Sequence, residues 1–462
     1  MIEVQDKQLE EILEDAISSL SINKVQLCSI TKKIQPKNPV CFFEAARQIE
    51  KDRVFWTSTN DAFSIAGVGN AYDISANENR FQHMELKWKQ VIDQAIIHNS
   101  FDVPSTGLVS LGGMDFDPKK DRTELWGDFP AIQFTVPEYM LTKYKENYYF
   151  TINVLAKKTD HPIQLANQLR DTERFLLTPI KAEKEKLRML TTKVIAPEEW
   201  KKTVKKATEE IRHTSIDKIV LAREMRVKLN KNANIATILD QLLATQSNSF
   251  VFAFERNNNC FIGATPERLV KIENKQLLST CLAGTAPRGK SETEDRQISN
   301  QLFHDEKNRE EHDFVVQMIK KGLNKYCVNV HVPEEPTVYP LKNLQHLYTP
   351  VTGKLKAGYS IFDIVEQLHP TPALGGVPRN DAITFIRDYE LLDRGWYGAP
   401  VGWLDSNDNG EFAVAIRSAL IQNDEASLFA GCGVVKDSIP EAEFEETRIK
   451  FTPMLSVLGG ES

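Results

Sequence analysis

The stretch 431–451, GCGVVKDSIPEAEFEETRIKF, concentrates carboxylates, a lysine and two glycines that could do chemistry together. Glu443, Glu446 and Lys450 fall at i, i+3 and i+7, so a helix presents all three on one face. Two readings fit. One is a solvated face with a Glu446–Lys450 pair worth ~0.3–0.5 kcal/mol. The other is a Mg²⁺ site, because hard cations take carboxylate oxygens and keep positions open for an anionic substrate. Gly431 and Gly433, set in an apolar run, let another group approach the backbone closely. Ser438 with Pro440 predicts the helix start. A metal needs further carboxylates, and Glu311 offers one. A single long helix is predicted over 295–326, with Glu311 on its core-facing stripe alongside Val315 and Met318, where an acid without a partner is unusual.

Other candidates stand alone until something groups them. Lys218 sits at the mouth of the apolar strand IDKIVLAREMRV and shares a face with Ile216, Val220 and Ala222. Such a lysine either snorkels to water or, in an apolar pocket, loses its proton and acts as a base. In GATPERL, Thr265 is predicted to cap a short helix with Pro266 at its first position. Glu267 then either serves the helix dipole or does chemistry. Gly284 and Thr285 close the strand LLSTCLAGTAPRG, as a plain turn or as N–H and hydroxyl donors for a carboxylate. Arg417 is predicted on one strand face with Ala413, Ala415 and Ala419, leaving room for a group that a guanidinium could grip with two prongs. Tyr397 could add a hydroxyl. His346 falls in a predicted strand, and His312 reads as a capping or packing residue.

The elements that must position these groups follow from periodicity. Leu9, Ile12, Leu13, Ile17 and Leu20 mark a helix over 5–20. VQLCSI, VCFFEAA, VFWTS and FSIAGVG read as strands, 76–98 as helix, and GLVSLGGMDFD, AIQFTVPEYML and NYYFTINVLA as further strands. APEEWKKTVKKATEEIRHT is a helix with proline near its start. HPTPALGGVPR is an irregular loop of the kind that edges a pocket. We divide the chain into an amino-terminal part, 1–195, and a catalytic part, 196–462, which need not be independent domains. The 462 residues are 41% hydrophobic and 26% charged, an ordinary globular balance. A formal charge of −7 argues against non-specific nucleic-acid binding. Six scattered cysteines lack metal-ligand or disulfide spacing, and no run of 18 apolar residues or apolar leader occurs, so a cytoplasmic protein with no membrane partner is expected.

Taken in order across about residues 195–455, DKIVLARE, GATPERL, LAGTAPRG, EEHDFVV, QHLYTPVTG, HPTPALGGVPR, RGWYGAPVGW, FAVAIRSA and EAEFEETRIK resemble the chorismate-utilising enzyme family. SIAGVG and LGGMDFDP extend the likeness loosely into the amino-terminal part. The resemblance implies an α+β fold: a single large α/β/β/α sandwich of two stacked, mainly antiparallel sheets flanked by helices. It also implies a small-molecule substrate, chorismate, and Mg²⁺ as cofactor, with the oligomeric state open between monomer and dimer. Ammonia-using members lack a lysine at the position of Lys218, so its presence here implies water as nucleophile. Ala373 and Leu374 match the isochorismate-forming branch, where salicylate-forming members carry threonine for Ala373. The long amino-terminal part is more like the menaquinone-pathway type; a salicylate synthase, a siderophore-pathway enzyme and a non-catalytic relative are the alternatives. By the same resemblance Lys218 is the base and Glu267 the acid. Glu311 and Glu446 hold the metal, with Glu443 acting through water. Gly284 and Thr285 hold the ring carboxylate, His346 orients the ring or metal side, and Tyr397, Arg417, Gly431, Gly433 and Lys450 face the substrate. Such chemistry asks opposite things of two groups: a lysine of reference pKa ~10.4 must be neutral and a carboxyl of reference ~4.3 protonated.

Overall fold

In the computed structural model, which describes residues 2–58, 62–76, 79–180, 186–342 and 344–460, the strands form one sheet of thirteen and one of ten. Pairing is antiparallel except where Val25–Ile34 meets Ile96–His98. The strand Phe250–Arg256 shows why the layers stack. Phe250, Phe252 and Phe254 point to one side, into an aromatic cluster shared with Trp403 and Val401 of the other sheet; Val251 and Ala253 point to the other, against Ile238 and Leu239 of the helix Ile235–Thr245. Period-two alternation of large aromatics thus fills the gap between sheets and leaves smaller side chains for the outer helices. On the far face of the second sheet, Val270, Ile272 and Val351 pack against Val315, Ile319 and Leu323 of the helix Glu306–Asn324. The result is the expected α/β/β/α sandwich. Residues before and after 195 share both sheets: Arg53–Ser58 pairs with Phe250–Arg256, and Val109–Met114 with Pro400–Asp405.

Three local expectations are corrected. VCFFEAA is not a strand; Pro39–Ala45 is helical, because Asn38 accepts from Val40 N and Cys41 N at 2.8 and 3.3 Å and caps it. Its run of apolar residues reflects burial on nearly all sides. The long helix over 295–326 is two, Glu292–His304 and Glu306–Asn324, since Asp305 turns to cap the second by accepting from Asn308 N at 2.8 Å. On that second helix the buried stripe runs through His312, Val315, Val316 and Ile319, so Glu311 lies off the core-facing side.

Candidate active site

Two chain crossings build the centre of the site. The strand Asn259–Thr265 belongs to the first sheet and Arg268–Glu273 to the second; the chain returns between Gly410–Val414 of the second and Ser418–Gln422 of the first. Glu267 and Arg417 occupy these two passages. Each is therefore displaced from the regular element predicted for it. Thr265-Pro266-Glu267 starts no helix: Glu267 N donates to Thr265 Oγ1 at 3.2 Å, the side-chain capping chemistry used here to bend the chain. Arg417 does not continue a strand from Ala413, for its backbone is left-handed with φ 52°. The passages brace each other, Val414 N donating to Glu267 O at 3.0 Å and Ala264 N to Arg417 O at 3.1 Å.

The side chains of both passages face one pocket, whose wall also carries Ala373, Leu374, Tyr397, Gly431 and Lys450. Desolvation raises the Glu267 carboxyl to about 7, against the lowering effects of Thr371, whose hydroxyl donates to Oε1 at 3.5 Å, and of nearby Arg417. Burial lowers the Arg417 guanidinium, while Tyr397, Glu446 and Glu267 favour its charge. The Tyr397 phenol, buried against Phe429, is pushed up by the same desolvation. Gly431 is needed where it is: a Cβ there would lie 3.0 Å from Leu221 O and 3.4 Å from Tyr397 Oη. Its carbonyl accepts from Lys450 Nζ at 2.9 Å.

Lys218 opens the strand Lys218–Leu229, which pairs with Glu425–Val434, setting Val220 opposite Gly433. The lysine stem lies across Gly433, where an added Cβ would be 2.5 Å from Lys218 Cε. Its ammonium donates to Glu311 Oε1 at 2.7 Å.

Gly284 and Thr285 do not end a strand. Gln276–Pro287 runs on past them through a bulge at Gly284, φ 75°, which pairs Ala283 with Leu347 and Thr285 with His346. Thr285 Oγ1 and His346 Nδ1 are 3.0 Å apart. Burial lowers His346 to about 4, and Arg417 and Lys450 push the same way against a Gly284 backbone bond, so the imidazole is neutral at neutral pH and stands within the field of the pocket's cations. His312 does more than pack. Its Nδ1 donates to Ala283 O at 3.1 Å and Nε2 accepts from Thr349 Oγ1 at 2.7 Å, tying the helix of Glu311 to the bulge.

The three candidate metal ligands split in their engagement. Glu311 is held by Lys218; Glu446, with 52% of its side chain exposed, pairs with Lys450 at 2.6 Å. Glu443 accepts from Ser438 Oγ at 2.7 Å, and its buried Oε2 has no partner. Ser438 thus serves Glu443 rather than capping the helix, which opens at Pro440. Among the described residues no three acidic, histidine or cysteine side chains are already grouped as a cation would hold them. The donors suit a hard cation, and one oxygen is orphaned, but two of the carboxylates are occupied by lysines. Sequence reasoning missed Thr371, Asn308 and Arg394, the last of which also lines the pocket. Thr371 sits between two prolines in the loop already marked as a pocket edge. Asn308, which accepts from Thr285 N at 3.3 Å, gives no signal beyond lying one turn before Glu311.

An acid and an arginine at crossings between two stacked sheets, in a pocket also lined by Val220 and Ala222 of the strand that a glycine-floored lysine opens, define a class. The family model for the chorismate binding enzymes matches residues 11–459, and the chain belongs to that family. Within it, the chain is 38% identical to isochorismate synthase MenF of Bacillus subtilis over 99% of both chains. It is 32% identical to the salicylate biosynthesis isochorismate synthase of Pseudomonas aeruginosa, over 95% of this chain and 92% of that one. Of solved structures, the menaquinone-specific isochorismate synthase MenF of Escherichia coli superposes with a TM-score of 0.81 at 22% identity, over 98% of this chain and 99% of that one, a likeness of fold.

Proposed function

We propose that the chain is an isochorismate synthase, which converts chorismate to isochorismate by adding water at C2 and expelling the C4 hydroxyl. The observation that carries this is a carboxyl held near pKa 7 in the same pocket as a buried arginine, a tyrosine and the Ala373–Leu374 wall. Full-length likeness to an isochorismate synthase supports it.

Lys218 takes a proton from water as its oxygen bonds to C2. The double bonds shift, the C4–O bond breaks, and Glu267 gives its proton to the departing oxygen, so water leaves and the atoms balance. Lys218 must first release Glu311, because an ammonium already donating to a carboxylate cannot act as a base. Arg417, Tyr397 and Lys450 take the enolpyruvyl carboxylate, near Gly431 and Gly433; Gly284 and Thr285 take the ring carboxylate, and neutral His346 orients the ring. Mg²⁺, held by Glu311 and Glu446 with Glu443 through water, would neutralise charge on the ring carboxylate. Menaquinone formation is the pathway we infer, because the Bacillus relative shares the name MenF with the menaquinone-specific enzyme of Escherichia coli, and the cytoplasm the compartment; among the described residues no helix is long and apolar enough to cross a membrane. Chromatography of products from chorismate and Mg²⁺, with and without ammonia, tests the reading. Isochorismate alone is expected in both; salicylate or an aminated product would overturn it.

A further inference from the structure

The edge of the Lys218–Leu229 strand has a gap. At one end Lys218 and Ile219 pair with Val377 and Gly376; at the other, Met225 to Leu229 pair with Met189–Val194. Between them, at Val220 to Ala222, no strand among the described residues lies along this edge, opposite the one paired with Glu425–Val434, and edge groups left open inside a protein need partners. Four are supplied from elsewhere. Gly375 O accepts from Val220 N at 3.1 Å and Trp200 Nε1 donates to Ala222 O at 3.0 Å. The other two go to a buried ion pair: Val220 O accepts from Arg394 Nη2 at 2.7 Å, and Ala222 N donates to Glu390 Oε2 at 2.6 Å.

That pair reaches further than the gap. Arg394 Nε donates to Glu390 Oε1 at 2.6 Å, and its remaining nitrogen, Nη1, donates to Leu374 O at 3.0 Å. Leu374 N and Gly375 N in turn both donate to Thr371 O, and Thr371 is the residue whose hydroxyl touches Glu267. One planar guanidinium therefore grips the strand two residues beyond the candidate base and the loop that carries both the Ala373–Leu374 wall and the acid's hydroxyl partner. Both side chains are nearly closed to solvent, at 4% and 1% exposure, so the linkage is not softened by water. A fork of fixed geometry suits this task and a lysine does not: one ammonium on a flexible stem cannot meet Glu390, Val220 O and Leu374 O in the same plane.

We propose that the Glu390–Arg394 pair is a positioning device that sets the Ala373–Leu374 loop against the Lys218 strand, fixing the selectivity wall and the acid relative to the base. It rests on the reading of this pocket as the site of chorismate isomerisation. Neither residue touches the reacting atoms in this scheme; both act through Val220, Ala222 and Leu374.

The test compares R394K and the isosteric E390Q with the parent chain, by thermal melting, by the split between kcat and KM for chorismate with Mg²⁺, and by hydrogen exchange of peptides covering 371–377 and 425–434. Loss of position by about 1 Å is worth up to about 10²-fold in rate. Expected for both variants is a cooperative melt, kcat down about 10- to 100-fold with KM nearly unchanged, and faster exchange in 371–377 but not in 425–434. Near-parental kcat, or exchange in 371–377 that does not change, would overturn the proposal and leave an ordinary buried ion pair. Should R394K fail to fold, E390Q decides, since it keeps the shape and the contact to Ala222 N. Exchange is read without substrate, so a parent chain that did not turn over chorismate would sink the functional reading while the exchange result still judged the linkage.

Discussion

Glu267→Gln is the sharpest perturbation of the scheme. With the carboxyl at about 7, roughly half the molecules carry the proton at pH 7 and about a tenth at pH 8. The ratio of parent to variant kcat, in which the demand for a neutral Lys218 cancels, should therefore be flat below pH 6 and fall towards tenfold per unit above pH 7. The amide cannot donate a proton to the departing oxygen, and a positioned general acid contributes about 10²–10⁴-fold, so at pH 6 the variant's kcat should drop by that factor. At higher pH the deficit narrows, because the parent is losing the same proton. KM should stay within about twofold, since the amide keeps the shape and an oxygen for Thr371. Stability separates cause from collapse. The folded carboxyl sits above its ordinary 4.5, so its contribution is intact at acid pH and is lost as pH rises through about 7. The variant should melt with the parent at pH 5 and above it at pH 8. Initial rates by chromatographic quantification of isochorismate from pH 5.5 to 8.5, with melts at both ends, make the comparison. A variant with parental kcat, with a deficit confined to KM, or with an alkaline limb unchanged from the parent's would refute Glu267 as the acid.

Gly433→Ala should fold, because the obstructed atom is the flexible end of Lys218, yet kcat should fall at least about tenfold as the amine is pushed aside; a parental rate would show that the amine need not lie over the glycine. Lys218→Gln should bind chorismate and fail to hydrate it, with ligand-induced quenching of tryptophan emission reading the binding; turnover near that of the parent rejects the lysine as base. Chelation should abolish turnover and leave the melt nearly unmoved, as the glutamates already have lysine partners; undiminished turnover removes the metal from the scheme. Ala373→Thr should add a hydroxyl to the pocket wall and release some pyruvate, seen as salicylate fluorescence, and a product that stays wholly isochorismate would show that the wall alone does not set the outcome.

Residue chemistry was legible in the sequence where local pattern and tertiary role coincide. Gly431 and Gly433 announced close approach, and Lys218 was placed at a strand mouth, because alternation and glycine content report directly on a strand's neighbours. Glu267 and Arg417 stand out by type, but local pattern sets them on regular elements. A threonine before a proline and an acid can cap a helix or bend a chain between layers with the same hydroxyl-to-amide bond, and only the partner strand decides. Likewise FAVAIRSAL keeps its apolar alternation through the left-handed turn at Arg417, since both halves are buried in different sheets. The apolar pattern alone sets the core stripe one residue out of register, on Glu311: His312, bonded at both nitrogens, is the polar residue the core accepts. Glu390 and Arg394 stand four apart outside any helix, and their meaning lies in a strand edge some 170 positions earlier, which no local pattern encodes.

The two braced passages have a bearing on inhibitor design. Because the backbone hydrogen bonds from Val414 N and Ala264 N carry the ladder of each sheet right up to the acid and the arginine, the floor of the cavity should resist widening. Compounds that grow from the ring towards those residues would have to pry apart paired backbone, whereas growth towards the exposed carboxylates of Glu311 and Glu446 displaces only side-chain ion pairs. Potency should accordingly be gained at the rim, and flat, compact rings should be favoured beneath it.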